Sequence, residues 1–114
     1  ELAAALGNDP NFATTVTNLI ATKQAKTAYV STLVNGMVTV ADNAIYTYTG
    51  VTAMTVTYPV GNFECLMDVT FDTSAAVIFP AGTKYLGEAP TFEASKRYEI
   101  SIRNGVVGAI EVVA

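Results

Sequence analysis

The sequence predicts a mainly β fold: an antiparallel β-sandwich of jelly-roll type, preceded by a short α-helical segment. Three observations predict it. From Tyr29 onward, apolar and polar residues alternate with period two. Turn signals such as Asn35-Gly36, Gly50, "PAGT" and Asn104-Gly105 recur along the chain, marking out roughly seven or eight short strands. The start of the chain carries its apolar residues at helical spacing instead. With 114 residues, the chain is one domain, or one domain with an appendage. It divides into a helical stalk or neck over 1–27 and a β-sandwich head over 28–114.

The helical segment comes first. "ELAAAL" is helix-forming, and Gly7 follows where a helix end commonly takes a left-handed residue. Asp9 offers an N-cap and Pro10 the first position of a second helix, within "GNDPNFATTVTNLIATKQ". Phe12, Val16 and Leu19 follow the 4–3 spacing of a coiled-coil seam, and Lys23 takes its next position. Ala13 and Ile20 widen the stripe, as a helix with more than one neighbour requires. The opposite face, Thr14, Thr15, Thr17, Asn18 and Thr22, consists of mediocre helix formers. Packing must therefore hold this helix, either on its own sheet or, as the stripe favours, against copies of itself through Phe12, Val16, Leu19, Ile20 and Lys23. So short a seam does not set the number of copies; Val and Leu at alternating positions are compatible with a pair.

The strands follow. "AYVSTLVNGMVTVAD" reads as a hairpin around Asn35-Gly36. "AIYTYT" and "TAMTVTYP" are strands separated by Gly50. In "FECLMDVTF", Phe63, Cys65, Met67, Val69 and Phe71 share one face, while Glu64, Asp68 and Thr70 share the other, so this strand is half buried. "AVIF" leads into the turn "PAGT", and "KYLGEAPTFEASK" is loop-like.

"RYEISIRNGVVGAIEVV" closes the chain as a second hairpin. A two-residue turn at Asn104-Gly105 pairs Ile102 with Val107 and sets Tyr98 across from Glu111. A three-residue turn over Arg103-Asn104-Gly105 pairs Ile102 with Val106, Tyr98 with Ile110 and Arg97 with Glu111. The second register is the expected one, because it keeps every side chain on the face that suits it. "LVNGMV" and "IRNGVV" look alike as two hairpin turns and do not amount to a repeat.

Composition narrows the function. The chain is 51% hydrophobic and only 14% charged, where soluble domains average about 25% charged. A lone small domain has too few charges to cover its surface, which favours apolar surface hidden against other copies. A net charge of −4 with six Lys and Arg leaves no basic stripe for nucleic acid. The apolar runs are short and broken, so none inserts in a membrane, and "ELAAALG" lacks the basic start and apolar run of a signal peptide. The first residue is not Met, so the chain reads as a processed product or a piece of a longer one.

The residues of most enzymes are missing. No histidine occurs, which removes Ser-His-Asp and Cys-His arrangements and the commonest zinc ligand. Cys65 is the only cysteine, expected as a buried and inert thiol. "AGTK" lacks the spacing of a phosphate loop. Glu64, Asp68 and Asp72 read as a solvated strand face rather than a catalytic pair. Neither Asp42-Asn43 nor Asp72 has the ligand density of a calcium loop. The expectation is no enzyme, no cofactor and no metal.

Tyrosine offers binding chemistry. Tyr46 and Tyr48 point to one side of a strand, with Tyr58 a candidate neighbour, and such rings suit either sugar stacking or a core; the core or a subunit interface is the expected place for them. Tyr85 and Phe92, in the long loop, are the expected exposed pair, and loops carry binding more often than strands.

Two stretches carry a resemblance. "LAAALGNDPNFATTVTNLIATK" resembles the short helical segments of structural proteins of tailed bacteriophages and prophages, and "IFPAGTKYLGEAPTFEASKRYEISIRNGVVGAIEVV" is similar to the β-rich ends of their appendage proteins. The resemblance implies a non-enzymatic virion component, homotrimeric, with a parallel helical bundle as stalk and a β head. Its implied partners are its own copies, other virion proteins and a host-surface glycan or protein, bound at a tail-fibre tip. A capsid head fibre or decoration protein is the alternative, and a monomeric carbohydrate-binding module of a secreted bacterial protein is a second. Expected contact positions are Tyr85, Glu88 and Phe92 in the long loop, and the turn tip Asn62.

Overall fold

In a computed structural model, Val16 and residues 27–113 are described. Among the described residues seven strands form: β1 (Ala28–Val30), β2 (Met37–Thr39), β3 (Ala44–Thr57), β4 (Glu64–Ile78), β5 (Lys84–Tyr85), β6 (Arg97–Arg103) and β7 (Val106–Val112). They make one hydrogen-bonded sheet in the order β1-β3-β4-β6-β7-β5, with β2 also paired to β3. Of the expected helical stripe, Phe12, Leu19, Ile20 and Lys23 lie outside the described residues, and Val16 is in helical conformation.

The chain is mainly β, as its alternation requires, but the expected antiparallel jelly-roll sandwich is not what forms. β1, β2 and β4 all run parallel to β3, and β5 runs parallel to β7. Parallel neighbours need a long crossover between them, and here the strands supply it by bending. A straight strand of β3's length would run about 46 Å. The link 58–63 reaches at most ~20 Å, yet it returns the chain so that Cys65 lies beside Ala44, where β3 began. β3 must therefore fold back along its length. It does so where its register with β4 shifts, between Tyr48 and Val51 and between Val51 and Ala53, and Gly50 supplies a φ of 65° at that corner. Residues 28–39, 44–57 and 64–78 are thus three successive passes stacked as the turns of a short β-solenoid.

This winding corrects two further expectations. "AIYTYT" and "TAMTVTYP" are one bent strand, not two, and "AVIF" continues "FECLMDVTF" within β4. The hairpin around Asn35-Gly36 does not form either. Asn35 (φ 52°) and Gly36 (φ 69°) do make a tight turn, with the Met37 N–H donating to Val34 C=O at 2.9 Å. The pairing stops at the single Val34–Met37 bridge. β1 and β2 then each take β3 as a parallel partner, so the turn serves as the corner of the first pass.

The second Asn-Gly turn does close a hairpin. β6 and β7 pair with Ile102 opposite Val107 and Tyr98 opposite Glu111, the two-residue register. The three-residue register expected from face matching is overturned. Asn104 (φ 50°) and Gly105 (φ 78°) take the paired left-handed conformation whose twist suits a two-residue hairpin. The consequence falls on β7: Val106 and Ile110 sit on the outer face, with Ile110 69% exposed.

The inward faces of the strands share one hydrophobic cluster. Cys65, Met67, Val69 and Phe71 from β4 meet Tyr98, Ile100 and Ile102 from β6, together with Val38, Val40, Val51, Met54 and Val56. The face expected for Phe63 to Phe71 is buried throughout. Tyr46 points inward, and its hydroxyl accepts a 2.8 Å hydrogen bond from the Ala41 N–H, which satisfies the one polar atom this ring brings inside.

Candidate functional site

One outward row across the sheet is built by register alone. Tyr29 lies beside Ile45, Ile45 beside Leu66, Leu66 beside Ser101 and Ser101 beside Gly108. Leu86, just past β5, completes the row: its N–H donates to Val107 C=O at 2.9 Å, and a Cβ on Gly108 would come within 3.0 Å of Leu86 Cδ1. Gly108 is thus the place where Leu86 lies down on the sheet. Six strands at ~4.8 Å spacing make this outward row about 24 Å long. Its two ends are open, Tyr29 at 78% and Leu86 at 66% exposure, and Ile45 between them is half-buried. A shallow apolar groove with Ser101 and Gly108 in its lining runs among Leu66, Leu86 and Ile110.

Polar rows flank it on both sides. One is Glu64, Arg103, Val106 and Lys84; the other is Thr47, Asp68, Glu99 and Ile110. Asp68 stands directly opposite Glu99, a like-charge juxtaposition that Arg97 relieves. The Arg97 guanidinium donates to both Asp68 oxygens, from Nε at 2.8 Å and Nη2 at 2.6 Å, and these bonds hold the carboxyl below the usual carboxylate range. Lys96 bridges Glu93 and Glu111 nearby. Asp68, Arg97, Lys96, Glu93 and Glu111 are thus held in partly exposed ion pairs, as on a solvated face.

The long loop differs from its expectation. Tyr85 and Phe92 are half-buried rather than an exposed pair. Both meet Phe79, with ring centroids at 6.2 and 6.5 Å, and Phe92 stands edge-on to Tyr98 at 4.9 Å. The Tyr98 hydroxyl accepts from the Glu93 N–H at 2.8 Å. This aromatic cluster pins the loop to the sheet. Glu88 and Asn62 are exposed, Glu88 within the loop and Asn62 beside Phe63 in the link between the second and third passes.

The tyrosines expected in the core are there. Tyr46 and Tyr48 are buried against each other, with centroids 5.9 Å apart, so they form no flat platform. Tyr58 lies apart from them: it stacks near Phe63 at 5.2 Å, and its hydroxyl shares a 2.8 Å hydrogen bond with Thr83 Oγ1. Cys65 is buried, and burial pushes its thiol up to about 11, as expected of an inert cysteine. Asp42 uses its Oδ1 to accept the Glu64 N–H at 3.0 Å, and among the described residues no three His, Cys, Asp or Glu gather as a metal site.

The apolar row was missed in the sequence because Leu66 sat unremarked between Cys65 and Met67. The three-residue hairpin register also turned inward Ile110, which borders the groove from the flanking row.

The chain is 45% identical over 87 residues to a protein named "Probable tail fiber protein" from Escherichia phage P2. The match covers 76% of this chain and 12% of that protein, so the chain spans about an eighth of the relative's length. The resemblance to tailed-phage fibre-like proteins carried by the sequence therefore holds. No protein-family model matches the chain, and no solved structure matches it significantly.

Proposed function

We propose that this chain is a non-enzymatic component of a phage tail fibre, located on the virion tail, and that it works as a homotrimeric head attaching the particle to a host-surface molecule. The similarity to a probable tail fiber protein carries the reading. In it, residues 1–27 are the stalk, where Phe12, Val16, Leu19, Ile20 and Lys23 meet their copies, and 28–114 the head. Other virion proteins hold the assembly to the particle.

Physical chemistry supports the trimer in one particular. The row from Tyr29 to Leu86 leaves apolar surface open on a single chain that is only 14% charged. Closed symmetric association hides such a surface without leaving an edge for further growth. The loop bearing Tyr85, Glu88 and Phe92, and the turn tip at Asn62, are the proposed contacts with the host molecule, a glycan or a protein. Three equivalent weak contacts on one rigid head gain avidity when they engage together.

Light scattering on a size-exclusion column, over a dilution series, tests the assembly. A stable mass near three times 12.0 kDa is the expected result; a chain that stays monomeric when concentrated overturns the trimer. Binding of the labelled protein to host cells then tests attachment.

A further inference from the structure

The outward face of the sheet carries different charge on the two sides of its apolar row. β6 alternates strictly: Tyr98, Ile100 and Ile102 are buried, while Arg97, Glu99, Ser101 and Arg103 are exposed. Ser101 lies in the row, so Arg103 stands on one side of it and Glu99 on the other. Lys84 extends the Arg103 side, and Asp68 the Glu99 side. Arg103 and Glu99 form no ion pair with any described residue. Arg103 stays unjoined even though Glu64 is directly opposite it. The face thus presents an unpaired cation and an unpaired anion across an open apolar strip.

We infer that this face is the interface between copies of the chain, closed about a threefold axis that runs along the row, with Arg103 of each copy paired to Glu99 of the next. The inference rests on the trimer proposed above and adds the surface, its direction and the contact that holds it. A copy turned about such an axis keeps its place along the row and brings its Glu99 side to the first copy's Arg103 side. The match can be followed strand by strand. On β6, Arg103 meets Glu99 of the next copy. On β7, Val106 meets Ile110, which covers a side chain left 69% exposed on the single chain. On β4, Glu64 meets Asp68, whose charge Arg97 already holds through two hydrogen bonds.

Each copy then uses one flank for each neighbour, so the ring closes with no flank left over. The apolar rows themselves meet along the axis, where Tyr29, Leu66 and Leu86 lose their contact with water. The direction also suits the chain's course. β1 begins at Ala28 and stands at one end of the row, so an axis along the row brings the three stalk segments in at the same end. Opposite charges flanking a desolvated strip fix the register of the copies as well as their affinity.

The test is charge reversal in the full 114-residue chain, read as mass by light scattering over a dilution series at low salt. Arg103→Glu sets two acids together and Glu99→Arg two bases. Each should raise the concentration at which the trimer half-dissociates by about tenfold or more. The two reversals combined restore opposite charges and should recover most of that loss. Leu66→Asp, at a position 40% exposed on the single chain, should leave the circular dichroism unchanged and dissociate the trimer. A trimer that keeps its mass in Leu66→Asp and in both single reversals overturns this placement and leaves the trimer standing. Dissociation in both single reversals without recovery in the double overturns the Arg103–Glu99 contact. A wild type at twice 12.0 kDa, or one that stays monomeric when concentrated, overturns the threefold closure and the trimer together.

Discussion

Phe63 and Asn104 exchange two hydrogen bonds: the Phe63 N–H donates to Asn104 Oδ1 at 2.8 Å, and the Asn104 N–H donates to Phe63 C=O at 3.0 Å. The link between the second and third passes is thereby tied to the tip of the β6–β7 hairpin. Asn104 thus satisfies the link's main chain while holding the left-handed conformation of its own turn.

Asn104→Ala should destabilise the protein by about 1–3 kcal/mol, because it loses the side-chain acceptor and puts a poorly suited residue at positive φ. Asn104→Gly restores the backbone freedom and should recover part of that loss. Urea unfolding of the two variants separates the contributions. Equal stability of Asn104→Ala and wild type would refute the role given to this pair.

Gly36 and Gly50 both have positive φ, but their surroundings differ. A Cβ at Gly36 would sit 3.0 Å from the Ala53 carbonyl oxygen, whereas one at Gly50 meets open space. Both alanine variants carry the conformational penalty of about 1 kcal/mol, and Gly36→Ala adds a clash with rigid backbone. The expected order is Gly36→Ala less stable than Gly50→Ala, measured as denaturation midpoints in one buffer.

The Asp68–Arg97 pair sets a pH dependence. Because Arg97 lowers the folded pKa of Asp68, the pair's stabilisation is present above the unfolded carboxylate value near ~3.9 and is lost as pH falls through the lower folded one. Both groups are partly exposed, so the effect is small and weakened by salt. Melting temperature against pH should fall less steeply below about pH 4 in Asp68→Asn than in wild type. Identical slopes would show that the pair contributes nothing.

Cys65 should resist a thiol-specific disulfide reagent at pH 8 in the folded protein, since its thiol is buried and raised to about 11. In denaturant it should react fully. Rapid labelling of the native chain would mean that the strand bearing it opens readily.

The sequence by itself determined which side chains of the strand from Phe63 to Phe71 face inward. Phe63, Cys65, Met67, Val69 and Phe71 alternate with polar neighbours, and the alternation alone assigns them to the core. It also placed left-handed turns at Asn35-Gly36 and Asn104-Gly105, where few other residues fit. It could not say what each turn would connect. One closes a hairpin and the other is only a corner, because alternation fixes the face of a strand but not its neighbour or direction. The register of β7 was equally open in one dimension, since both registers pair Ile102 with a valine. Only the tertiary structure decided these points. The short link 58–63 forced β3 to bend and lie parallel to β4, and Phe63 captured Asn104. The same bending brought Tyr29, Ile45, Leu66 and Leu86 into one outward row. That row is made of residues brought together by winding, and the distance along the chain between them carries no local signal of it.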